Sequence, residues 1–105
     1  MPTKYDKLVR DRIPEKLAAK GLGFSVHAAD DEEYVQKLRA KLLEEVQEFL
    51  RDESPEEMAD VLEVLEAFAR LKGWRWSEVQ AKQKQKAEQR GRFEKRIILE
   101  EIGES

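Results

Sequence analysis

Apolar residues recur three and four positions apart in two long stretches of the chain, Asp31–Arg51 and Pro55–Lys72. This is the period of one face of an α-helix. When the residues are placed at 100° intervals, each stretch shows one apolar arc beside a charged face. The pattern predicts two amphipathic helices that pack through these arcs.

Capping residues mark the ends of both helices. Asp30 or Asp31 can cap the first, which continues to about residue 51. Ser54, a proline after it and Glu57 at the third helical position form a capping box for the second. That helix should run to residue 72, because Gly73 is a common helix terminator.

Two shorter helices complete the prediction. One covers residues 14–20, and another starts from a second capping box at Ser77 and runs to about residue 89. Residues 24–28 alternate apolar with polar, and the tail, residues 93–102, is either a helical turn or a strand that pairs with them. The expected fold class is all-α, an antiparallel bundle of about four helices, with room for a short two-stranded element.

Composition narrows the class of protein. The chain has 105 residues and no cysteine, so we expect one domain over residues 1–105 without disulfides or thiolate metal ligands. A single histidine disfavours zinc, and a net charge of -3 disfavours a dedicated duplex-DNA binder. Neither an apolar run of about 20 residues nor a signal-peptide pattern is present, so we expect a cytoplasmic protein without membrane or nucleic-acid partners.

Four carboxylates lie at or near the interface predicted between the two long helices. Glu45 and Glu48 are three residues apart on the first helix, and Glu57 and Asp60 have the same spacing on the second. A short connection makes the helices antiparallel, so the two pairs can meet. Two carboxylates about 5 Å apart repel by about 3 kcal/mol at an effective dielectric constant near 20. Such a cluster must protonate, turn into water or bind a cation, and oxygen ligands suit Mg²⁺ or Mn²⁺.

A simpler interpretation treats these residues as solvated surface charges. Glu57 already has a role in the capping box, and glutamates at the edge of an apolar arc are usually exposed. Asp60 favours the metal site, because it is a poor helix former with no cap to make. The pattern by itself leaves both interpretations open.

Several motifs resemble the MazG-like nucleotide pyrophosphohydrolases, a superfamily that includes phosphoribosyl-ATP pyrophosphohydrolase. Residues 44–48 (EEVQE) followed by 57–60 (EMAD) are similar to its EExxE…ExxD signature. Residues 7–14 (KLVRDRIP) and 86–93 (KAEQRGRF) resemble the KLVRDxIP and KAExRGxF segments of a short branch of these proteins. The resemblance covers most of the chain, although the interval between the two signature halves is shorter than usual.

The resemblance implies a helical, usually oligomeric enzyme that uses Mg²⁺ to cut a nucleoside triphosphate into the monophosphate and pyrophosphate. The metal ligands that it implies are Glu45, Glu48, Glu57 and Asp60, and Glu44 completes the motif. Either Glu44 or Glu48 is free to orient the attacking water, as such hydrolysis requires.

Cations for the substrate phosphates are expected on the last helix. Lys82, Lys86 and Arg90 are four residues apart and share one face. A solvated face is the alternative, and the resemblance favours phosphate binding by Lys86 and Arg90. Lys7, Arg10 and Arg12 suit either a phosphate or an adjacent subunit, and their pattern does not decide.

Three functions therefore follow from the sequence. The first is hydrolysis of a nucleoside triphosphate in a house-cleaning or nucleotide-pool role, by a homodimer or higher homo-oligomer. The second is hydrolysis of phosphoribosyl-ATP in histidine synthesis. The third is a helical interaction module without enzymatic activity.

Overall fold

The computed structural model describes residues 4–103 and confirms the all-α fold. Within these residues there are four helices and no strand. The helices are α1 (Ile13–Ala19), α2 (Asp31–Arg51), α3 (Pro55–Lys72) and α4 (Trp76–Arg90). None of them, among the residues described, combines the length and apolar content needed to cross a bilayer.

The helix ends of α2 and α3 form as the sequence predicts. The Asp30 side chain accepts a hydrogen bond from the backbone N–H of Glu33 at 2.9 Å, and Ser54 Oγ accepts one from Glu57 at 3.2 Å. Gly73 ends α3 with a φ of 74°, a left-handed conformation that glycine adopts without steric cost. Only Ser54 lies at the short connection between the two helices, and within residues 4–103 the reciprocal bond of the predicted capping box, from the Ser54 N–H to the Glu57 side chain, is not formed.

The central feature of the fold is an antiparallel pair, the α2–α3 hairpin. Phe49, late in α2, lines a groove with Met58, early in α3. Leu42, earlier in α2, lines another groove with Leu65 and Phe68, later in α3. This reversed order places the first half of α3 beside the second half of α2. The buried apolar residues are Leu38, Val64 and Ala69.

The shorter helices differ slightly from the prediction. The first begins at Ile13, one residue early, and the last begins at Trp76, so Ser77 is not its N-cap. Glu78 lies three residues after Arg75 and accepts a hydrogen bond from the Arg75 backbone N–H at 3.3 Å. Glu78 thus pairs with a backbone N–H at the start of the helix that has no partner inside it. The N-cap is therefore Arg75, two residues before the predicted Ser77.

The two-stranded element is not formed. Residues 24–28 and 93–102 are both without strand pairing, and the tail is exposed throughout. Five alternating residues give too few ladder hydrogen bonds to hold an isolated pair. Both segments therefore present apolar side chains to solvent, including Phe24, Phe93 and Ile98.

The chain is elongated. Its Cα radius of gyration is 18.9 Å, against about 13 Å for a compact domain of this length. Several apolar side chains of α2 and α3 are exposed at helical spacing, namely Leu43, Val46 and Leu50 on α2 and Met58, Leu62 and Leu65 on α3. A single copy therefore leaves a large share of its apolar surface uncovered.

Candidate metal centre

Three of the four carboxylates predicted at the helix interface come together. Glu45, Glu57 and Asp60 each offer an oxygen atom, and these three atoms lie within 4.8 Å of one another. We call these residues the acidic cluster. Glu45 is on α2, whereas Glu57 and Asp60 are one turn apart on α3, so the antiparallel hairpin is what assembles them.

Glu45 is the most enclosed member of the acidic cluster, with 9% of its surface exposed. Its one ion pair among the residues described is with Lys41, one helical turn earlier, at 3.2 Å. Partial burial raises the pKa of Glu57, and the negative charges of Asp60 and Glu48 raise it further. The neighbouring carboxylates therefore disfavour the ionised form of Glu57.

Glu48 and Glu44 lie beside the acidic cluster with partners of their own. Glu48 Oε1 accepts a hydrogen bond from Arg51 at 2.7 Å, while its charge still acts on Glu57. Glu44 Oε1 accepts one from Lys7 Nζ at 2.9 Å and lies 3.6 Å from Lys41. The hydrogen bond from Lys7 lowers the pKa of Glu44, and the same contact raises the pKa of Lys7.

Two cations for which the sequence left two roles open, phosphate binding and contact with an adjacent subunit, reach this site from the N-terminal segment. Arg10 Nη2 donates to Asp60 Oδ1 at 2.6 Å, and Arg10 Nη1 lies 3.7 Å from Glu63. Lys7 reaches Glu44, as described above. These partners are 50 and 37 residues apart in sequence, so no local spacing could have indicated the contacts. Lys41, by contrast, was detectable from its spacing to Glu45.

The cations predicted on α4 stay apart from the carboxylates. Lys82, Lys86 and Arg90 are exposed, and none of the ion pairs within residues 4–103 involves them. From residue 80 onward α4 is exposed except for the half-buried Ala87. In one copy of the chain, therefore, these side chains make no contact with the acidic cluster.

An apolar groove of about 310 Å³ lies one turn from Glu45, beginning at Leu42. Its other walls come from α3, from the α3–α4 connection and from the start of α4, where Trp74 and Trp76 contribute their rings. The groove is open to solvent and lined by apolar side chains alone.

The chemistry of the cluster fits a divalent cation that keeps part of its water shell. Three carboxylate oxygens from two rigid helices satisfy half of an octahedral shell and leave positions for water or phosphate.

The chain matches no family model, no curated protein and no solved structure. The resemblance to MazG-like enzymes therefore depends on the motifs quoted above.

Proposed function

We propose that this chain is a Mg²⁺-dependent nucleoside triphosphate pyrophosphohydrolase of the MazG-like type, with Mn²⁺ as an alternative cation. The observation that supports this most is the convergence of Glu45, Glu57 and Asp60. These residues are three of the four ligands that the EExxE…ExxD resemblance implies.

In this proposal the acidic cluster holds the cation, which neutralises charge on the triphosphate when bound. Glu48 orients or deprotonates the attacking water. Its one hydrogen-bond partner, Arg51, lies on the same helix and is largely exposed, so Glu48 can exchange it for water. Glu44 is a weaker base, because Lys7 holds it in the ionised form and lowers its pKa.

The other parts of the nucleotide have candidate contacts as well. The groove lined by Leu42, Trp74 and Trp76 is the proposed site for the base. Lys86 and Arg90 remain proposed phosphate-binding residues, with Lys82 one turn earlier. Their charges are available, since no carboxylate among the residues described neutralises them.

Self-association is part of the proposal. The exposed apolar rows on α2 and α3 and the elongated shape favour a homodimer or a higher homo-oligomer. When such a row packs against a second copy, apolar surface is removed from water while each chain keeps its fold. Such an assembly is compatible with the proposed role of a cytoplasmic enzyme that acts on the nucleotide pool.

A panel of nucleoside triphosphates, with phosphoribosyl-ATP included, tests the proposed reaction. Pyrophosphate release should require Mg²⁺ or Mn²⁺ and should stop when the cation is chelated. Asp60→Asn should abolish release, while Glu66→Gln, a half-buried α3 carboxylate outside the acidic cluster, should retain it. A panel without pyrophosphate release, or equal release by Asp60→Asn, would leave the helical interaction module as the better hypothesis.

A further inference from the structure

The segment before α1, residues 4–12, crosses the α2–α3 hairpin above the acidic cluster. Lys37 Nζ donates to the backbone carbonyl of Asp6 at 2.8 Å and lies 3.3 Å from its carboxylate. Asp6 has a φ of 46°, a left-handed conformation that aspartate tolerates better than most residues. These contacts tie the segment to α2 and place the residues that follow over both helices.

Lys7 and Arg10 are the two cations of this segment that reach the site. Lys7 contacts Glu44 on α2, and Arg10 contacts Asp60 on α3. Both side chains are exposed enough to change partners, with 41% and 55% of their surface accessible. The backbone around them is anchored by Lys37 and by the hydrogen bond from Ile13 N–H to the Arg10 carbonyl at 3.1 Å.

The position of Arg10 conflicts with that of a bound cation. Asp60 supplies one of the three oxygens of the acidic cluster, and the guanidinium already donates to it at 2.6 Å. A divalent cation on the same carboxylate would repel the guanidinium. Arg10 can then pair with Glu63, 3.7 Å away, or with an anion that lies between the two positive charges, and a phosphate chain is such an anion.

We propose that Arg10 and Lys7 bind the substrate's phosphate chain, and that in the free protein they act as counter-ions of Asp60 and Glu44. This inference rests on the proposed function, because it requires a cation and a polyphosphate at this site. Guanidinium binds phosphate through two parallel N–H donors, which makes Arg10 the more specific of the two residues. The N-terminal segment thus both competes with the cation and recruits the substrate.

The two roles predict opposite effects of Arg10→Ala, measured by titration calorimetry on the full chain. Mg²⁺ alone should bind about twofold to fivefold more tightly, since a half-exposed competing ion pair is lost. Inorganic tripolyphosphate with Mg²⁺ should bind about tenfold more weakly or worse, the effect of losing a charge-assisted hydrogen bond. Tripolyphosphate carries the phosphate chain without a base or sugar, so nucleotide preference does not enter.

Two further variants separate this role from a general loss of charge or of folding. Arg12→Ala removes a cation of the same segment whose side chain, within residues 4–103, forms an ion pair with Glu15 of α1 alone, at 3.4 Å, and it should change neither affinity. Arg10→Lys keeps the charge but loses the two-pronged donor. It should leave the Mg²⁺ affinity near that of the parent and still weaken tripolyphosphate binding.

The possible results distinguish failure of this inference from failure of the proposed function. If the parent releases pyrophosphate from nucleotides but Arg10→Ala matches Arg12→Ala in both titrations, the inference is wrong and the proposed function stands. Tighter Mg²⁺ binding with unchanged tripolyphosphate binding also overturns it, because Arg10 is then only a counter-ion. If both opposite shifts occur in a protein that hydrolyses no nucleotide, the phosphate site is supported and the proposed reaction is wrong. A parent that binds neither probe overturns both.

Discussion

Replacing Glu45 by glutamine tests whether the acidic cluster was built for a cation. The substitution keeps the size of the side chain and removes the most enclosed charge of the three. Without metal, it relieves repulsion from Glu57 and Asp60. It also deprives Lys41 of a partner, but Lys41 retains Glu44 at 3.6 Å.

The magnitude follows from the distances. At 4.8 Å, the repulsion between Glu45 and Asp60 is about 3.5 kcal/mol at an effective dielectric constant of 20 and about 0.9 kcal/mol in bulk water. The Asp60 side chain is 38% exposed, which favours the lower value. The lost pair with Lys41 is largely enclosed, with 16% and 12% of the two side chains exposed, and offsets part of this gain, while Lys41 keeps Glu44 as a partner. The metal-free variant should therefore unfold with a Tm equal to that of the parent or up to about 5 °C higher.

The assay is thermal unfolding with and without Mg²⁺, together with pyrophosphate release. At a Mg²⁺ concentration ten times its Kd, the parent gains about 1.4 kcal/mol. That gain should shrink strongly in Glu45→Gln, and kcat should fall about a hundredfold or more. Glu66→Gln serves as the control and should behave like the parent. A metal-free variant clearly less stable than the parent, with an unchanged Mg²⁺ response, would refute the reasoning.

Three further predictions concern the cations and the assembly. Lys86→Ala and Arg90→Ala should act partly through KM in steady-state kinetics, since bound substrate also uses those charges; effects on kcat alone would contradict this. Lys7→Ala should lower stability by less than about 1 kcal/mol. The pKa of Glu44 is lowered and that of Lys7 is raised, so this difference in stability should be present at neutral pH. It should vanish as the pH falls below 4.5 through the folded-state pKa of Glu44, and again as the pH rises above 10.5 through that of Lys7. A difference that does not change with pH in denaturation experiments would exclude the ion pair as its source. Sedimentation should show a species larger than 12.3 kDa that Leu62→Glu dissociates, and a parent that is monomeric at micromolar concentration would contradict self-association.

The sequence alone determined the helices, because helix formation and capping depend on residues a few positions apart. The Ser54 cap and the glycine at position 73 specify α3 to the residue. The same local spacing paired Glu57 with Asp60 on one face. Where two caps compete locally, as at the start of α4, sequence placed the boundary two residues late.

Only the tertiary structure decided which side chains share the site. Helical spacing placed both Glu45 and Glu48 near the helix interface. The packing of α2 on α3 brings Glu45 into the acidic cluster, while Glu48 contacts Arg51. Arg10 reaches Asp60 across 50 residues of chain, through the path of a segment with no regular structure. Such contacts depend on how helices and connections pack in space. The periodicity of a sequence predicts which residues share a helix face, but it does not predict that packing.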